Sequence, residues 1–269
     1  HYSNGETWPK IIDDICYQNK NNFNDCSVIN GGVGGYNSSQ ELLKLITSAS
    51  NLDQDIRVII SYNGINEIES YRGTNKFINN NLPFFTSEMA SMYVTKKWFR
   101  QSRNIINLFP NINSFIRYLT GSQTYNIEKS KDLEEKDFKD LINKKIKFNS
   151  VVDRWVLNTS LMHSVSKELN SKYFVFLQPT LGLKETTKYI PKDSNDFLLL
   201  ENLDKEYINS INSLYNQLRV ECSKKDYCID LSLIQFSNGS SYTDARHHNE
   251  NGNLKIAKEI FLNIKKELE

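Results

Sequence analysis

The stretch Ile56-Arg57-Val58-Ile59-Ile60-Ser61-Tyr62-Asn63-Gly64-Ile65-Asn66 decides how this chain folds. Residues 56–62 are β-branched and nearly continuously apolar, the pattern of a strand covered on both faces rather than one with a wet side. Asn63-Gly64-Ile65-Asn66-Glu67 follows directly at the strand's carboxyl end. Ligands bind at that end of an open parallel sheet.

Working outward, strands and helices alternate. Residues 8–18 place Trp8, Ile11, Ile12 and Ile15 on a helical stripe. Residues 26–29 read as a short apolar strand running into Asn30-Gly31-Gly32-Val33-Gly34-Gly35, and Ser38 or Ser39 caps a helix through Leu42, Leu43, Leu45 and Ile46. Downstream, residues 138–169 suit a long helix, with Leu141, Val152, Trp155, Met162 and Leu169 roughly on one side. Residues 173–177 form a buried strand ended by Gln178-Pro179; a helix over 203–222, a strand over 227–231 and a closing helix over 253–268 follow. This alternation predicts an α/β fold, a three-layer α/β/α sandwich around a central parallel sheet. Residues 73–135 break the rhythm. Asn75, Asn79, Asn80, Asn81 and Pro83 read as loop and residues 89–108 as helix, so the segment is expected to be a mostly helical insertion covering the site.

A chain of 269 residues, 39% apolar and 24% charged, fits one domain with such an insertion. A net charge of +1 supplies no field to attract nucleic acid or an anionic membrane. No run reaches the roughly 18 apolar residues of a membrane span. The opening His1-Tyr2-Ser3-Asn4-Gly5-Glu6-Thr7 lacks Met, a basic head and an apolar stretch, so the chain is read as cut at its N-terminus, with any export signal beyond it. None of the four cysteines sits in a CxxC pair, which argues against zinc. Cys16 with Cys26, and Cys222 with Cys228, each span a junction from helix end to strand start. Two disulfides and four half-buried thiols are both open readings; the first suits a periplasmic or cell-surface location, preferred here over the cytoplasm.

Three features converge on the carboxyl edge of the sheet. In Asp244-Ala245-Arg246-His247 the carboxylate can accept a hydrogen bond from one imidazole nitrogen, leaving the other to take a proton from a nucleophile. The neighbouring His248 is expected to point away, toward solvent. A metal site from Asp244, His247, His248 and Glu250 is disfavoured because no further His lies nearby and no HExxH pattern exists. Gly31, Gly32, Gly34 and Gly35 fail the GxGxxG spacing and lack a following Lys-Ser/Thr, which disfavours nucleotide. A glycine N–H there can instead help hold the negative oxygen of a tetrahedral intermediate, and the Asn66 amide offers a second donor. Each feature also has a plain structural use, as a tight turn, a cap or a buried ion pair.

Together these segments resemble the SGNH hydrolases, also called GDSL-type esterases and lipases. Asn30-Gly31-Gly32-Val33-Gly34-Gly35-Tyr36-Asn37-Ser38 is similar to that family's second block, Tyr62-Asn63-Gly64-Ile65-Asn66-Glu67 to its third and Asp244-Ala245-Arg246-His247 to its last. The resemblance runs from Thr7 to the C-terminus except over residues 73–135. It implies an SGNH/flavodoxin-like fold with His247 as base, Asp244 as its orienting carboxylate, and Gly35 and Asn66 as oxyanion donors, with neither metal nor organic cofactor. Glu67 stands where the family has Asp. The first block, with the nucleophilic serine and the first strand, is absent, which places that serine upstream of His1; Ser3 lies too close to the first helix to replace it. The implied substrate is a small acyl ester or acylated carbohydrate, with O-acetyl groups of bacterial surface polysaccharide foremost. Tyr71, Phe84, Phe85, Trp98 and Phe99 are a candidate sugar platform and equally candidate core. An O-acyltransferase using the same residues, or an inactive glycan-binding module, are the alternatives.

Overall fold

The decisive stretch forms β1 (Val58–Asn63), which pairs in parallel with β2 (Lys172–Leu177), and β2 pairs in parallel with β3 (Cys228–Asp230). The computed structural model describes residues 7–19, 26–49, 56–68, 151–236 and 239–268. The insertion expected over 73–135, the candidate aromatic platform and Ser3 lie outside the described residues. The chain divides into two units, one comprising His1–Gly35, Arg57–Ile68 and Lys172–Glu269, the other Tyr36–Ile56 and Glu69–Ser171.

In the first unit the fold is α/β with a parallel three-stranded sheet, ordered β1-β2-β3 among the described residues. Its helices are α1 (Trp8–Gln18), α4 (Lys184–Thr187), α5 (Asn195–Glu201), α6 (Lys205–Cys222) and α7 (Glu250–Ile264). Strand periodicity of two sends Phe174 and Phe176 to one face. There they join Val58, Ile60 and Tyr62 of β1 in a core with Ile12 and Cys16 of α1 and Ile256, Ala257, Ile260 and Ile264 of α7. Burying one such Ile or Leu contributes roughly 1.5–3 kcal/mol, so this cluster is a major source of the unit's stability. Side-chain caps start the helices that flank the site: Ser194 accepts from Phe197 N–H, Asp204 from Glu206 and Tyr207 N–H, and Asn249 from Gly252 N–H.

Both cysteine pairs are disulfides, Cys16–Cys26 and Cys222–Cys228, each joining the end of a helix to the segment after it. The strand expected over 26–29 is not formed. A strand exists only where a neighbour completes its ladder, and β1 pairs with β2 alone among the described strands. The segment is tethered instead by its disulfide and by the Val28 N–H bond to Asp13 Oδ1 (3.0 Å), and Val28 packs on the same core as Val58 and Ile60.

In the second unit, α2 (Ser38–Ala49) and α3 (Val151–Glu168) pack together. The cap of α2 is Asn37 rather than Ser38 or Ser39. Asn37 Oδ1 accepts from Ser39 and Gln40 N–H while Gln40 Oε1 accepts from Asn37 N–H, a reciprocal capping box. The serine hydroxyls are occupied elsewhere: Asn158 Nδ2 of α3 donates to Ser38 Oγ at 3.0 Å and Ser39 Oγ at 2.7 Å.

Candidate active site

His247 and Asp244 meet as their spacing predicts. His247 Nδ1 lies 2.7 Å from Asp244 Oδ2, and both side chains are more than half exposed. The same carboxylate organises its own turn, since Oδ1 accepts from the N–H groups of Arg246 (2.7 Å) and His247 (2.9 Å). Partial burial pushes the Asp244 carboxyl up, but the Arg246 N–H, the His247 ring and the His247 N–H outweigh it and hold the group below its usual range. An exposed ion pair adds at most about 1 kcal/mol to stability. The turn's shape therefore rests on its main-chain bonds.

Those bonds are extensive. Ala245 C=O accepts from Thr180 Oγ1 (2.7 Å) and Leu181 N–H (3.0 Å), Arg246 C=O from Gln178 Nε2 (2.7 Å), and His247 C=O from Thr243 N–H (2.9 Å). A second clamp holds the preceding segment. The Asp196 carboxylate, buried at the start of α5, accepts from Ser241 N–H at 3.0 Å and Tyr242 N–H at 3.1 Å. In return Asp196 N–H donates to Gly239 C=O at 3.0 Å.

His248 does point away from His247, but into the protein rather than to solvent. It forms an antiparallel bridge with Tyr242, and successive side chains of extended backbone face opposite ways, so an outward His247 sends His248 inward. Its ring lies 4.5 Å from Tyr242 and 5.5 Å from Phe236, centroid to centroid. Nε2 is buried, with no hydrogen-bond partner among the described residues. Burial, reinforced by repulsion from His247 and opposed by Asp244, lowers its pKa to about 3, so the ring is neutral at physiological pH.

Asn66 sits in the turn that closes β1, where Glu67 N–H donates to Gly64 C=O (3.3 Å) and Ile68 N–H to Ile65 C=O (3.0 Å). Glycine is required at 64. Its φ is +114°, and a Cβ there would lie 3.3 Å from Leu177 Cδ2. The end of β1 is bound to the histidine turn through one residue: Gln178 N–H donates to Asn63 C=O at 2.8 Å while its side chain holds Arg246. Gly35, with φ +80°, lies in the exposed loop of residues 31–35, and no hydrogen bond among the described residues joins it to this edge. Glu67 is buried.

Gln178, Thr180 and Asp196 are absent from the residues singled out by sequence. Gln178-Pro179 reads there only as the end of a strand, although a long amide at a carboxyl strand edge is itself a signal of a turn to be held. Among the described residues no three His, Cys, Asp or Glu side chains come together as metal ligands, and no helix is long and apolar enough to cross a membrane. No protein-family model matches the chain, and no curated protein matches it.

Proposed function

We propose that the protein is an SGNH-type serine hydrolase that cleaves acyl esters, with O-acetyl groups on bacterial surface polysaccharide as the substrate class. The observation that carries this reading is the 2.7 Å contact between His247 Nδ1 and Asp244 Oδ2 in a braced, solvent-open turn. With Asp244 fixing the proton on Nδ1, Nε2 is the basic nitrogen. It accepts the serine hydroxyl proton as Oγ attacks the ester carbonyl and returns that proton to the departing sugar oxygen. Water then repeats the sequence on the acyl-serine, releasing the acid. The Gly35 N–H and the Asn66 amide are the proposed donors to the oxyanion.

The nucleophile in this proposal stands on a strand upstream of residue 1. The Val28 segment, packed on the same core as Val58 and Ile60 but in no ladder among the described residues, supports a further strand between it and β1. Leu177 on the face opposite Phe176, with Leu218 and Tyr215 of α6 near Gly64, supports the finer three-layer arrangement. The two disulfides support an oxidising, extracytoplasmic compartment.

The test is hydrolysis of p-nitrophenyl acetate and of an O-acetylated polysaccharide by the protein expressed with its upstream coding sequence, beside Asp244→Asn. Turnover that falls on the order of 10⁴-fold in the variant is expected. Absence of turnover on every acyl ester would remove the proposal in favour of a binding module.

A further inference from the structure

We propose that Gln178 is a positioning residue that sets the distance between the base and the end of β1. Its consequence for catalysis rests on the hydrolase reading above. Three groups of this one residue point to three elements. Its N–H donates to Asn63 C=O (2.8 Å), its C=O accepts from Tyr215 Oη of α6 (2.7 Å), and its side-chain Nε2 donates to Arg246 C=O (2.7 Å). The first two bonds fix the backbone of Gln178 against the sheet and α6. The third transmits that fixed position to the peptide preceding His247.

Chemistry singles out the side chain for this work. The peptide N–H groups of Arg246 and His247 are already taken by Asp244, and the bonds that hold these residues from outside run to carbonyls of the turn. The Ala245 carbonyl has two donors, Thr180 Oγ1 and Leu181 N–H, so it keeps one when the threonine hydroxyl is lost, whereas the long side chain of Gln178 is what reaches the Arg246 carbonyl from the end of β2. Pro179 follows immediately, limiting the conformations open to Gln178. Asn would be too short to span the same gap, and Met or Glu would offer no donor.

This predicts a ranking opposite to burial. Thr180 is 1% exposed and Gln178 9%, so a packing role would make Thr180 the more sensitive position. Positioning makes Gln178 the more sensitive, because the Ala245 carbonyl keeps the Leu181 N–H when Thr180 loses its hydroxyl. The experiment compares Gln178→Met and Thr180→Val, reading the His247 Hδ1 proton by NMR in the protein and kcat and KM for p-nitrophenyl acetate in the protein with its upstream segment. Gln178→Met is expected to shift or broaden the Hδ1 resonance and to lower kcat roughly 10- to 100-fold with KM unchanged. Thr180→Val should do less on both readouts. If the Met variant does not fold, Gln178→Glu, which keeps the length and removes the donor, carries the same test at neutral pH.

An unmoved Hδ1 resonance in the Gln178 variant, or a larger effect of Thr180→Val, overturns the assignment. If the resonance responds but the wild type hydrolyses no acyl ester, the positioning role stands and the hydrolase reading is what fails.

Discussion

The turn that carries His247 and the glycine loop at residues 31–35 are held in opposite ways. In the turn, the carbonyls of residues 245, 246 and 247 all have donors, and the Asp244 carboxylate accepts from the N–H groups of Arg246 and His247. In the loop, the described residues show one such bond, Gly32 N–H to Asn30 Oδ1 at 3.0 Å, and residues 31–35 are exposed. A catalytic group must be held within a fraction of an ångström, and only the turn meets that standard by itself. The difference divides the proposed mechanism: the base and its orienting carboxylate meet within the described residues, whereas the loop of the proposed Gly35 donor is not braced in the same way among them.

The largest expected effect tests the strong side of this comparison. His247→Ala in the protein with its upstream segment should lower kcat on the order of 10⁴-fold while leaving thermal stability nearly unchanged, because the side chain is 61% exposed. A large drop in melting temperature would show the turn to be structural instead. Next is Asp196→Ala, which strands the buried N–H groups of Ser241 and Tyr242 and should cost about 3 kcal/mol. A shift in the urea midpoint worth less than about 1 kcal/mol would show that the clamp does not brace the turn.

The third prediction uses pH. The folded His248 pKa of about 3 lies below its ordinary 6.5, so the unfolded chain binds more protons between those values. Stability from this group is full above pH 6.5 and declines as the pH falls, by about 1.4 kcal/mol per unit, or roughly 2 kcal/mol by pH 5. His248→Phe should flatten that slope in urea titrations at pH 5 and 7 while leaving activity in place; an unchanged slope would place the acid sensitivity elsewhere. Asp244 acts lower: its contribution is present above 3.8 and fades as the pH falls through its depressed folded value, small because the group is exposed.

The smallest effects measure the weak side. Gly64→Ala forces a Cβ against Leu177 at positive φ and should cost about 2 kcal/mol; Gly35→Ala meets open space and should cost about 1 kcal/mol, for backbone conformation alone. Equal losses by thermal denaturation would mean that the glycine loop is packed as tightly as the end of β1.

Periodicity made the main helices and strands of the first unit legible, because apolar runs such as residues 56–62 and 173–177 and the stripe of α1 have few other stable uses. The local Asp244–His247 pair was legible for the same reason, since three residues of spacing in a turn suffice to bring them together. Other features depend on partners far away in sequence. Helices α4 and α5, of four and seven residues, hold too few turns to show a period. Residues 26–29 carry strand composition, yet no described strand completes their ladder. His248 turned inward because an aromatic shelf from Tyr242 and Phe236 awaited it, and the cap of α2 moved to Asn37 because Asn158 claims both serines. Gln178 became visible only when the ends of β1 and β2 and the histidine turn stood together.

The most direct test of the central claim is covalent labelling. The protein expressed with its upstream segment is treated with a fluorophosphonate, digested and mapped by mass spectrometry, beside His247→Ala. A single adduct on a serine preceding residue 1, lost in the variant, is the predicted result. No adduct, or an adduct that forms equally well without His247, would contradict it.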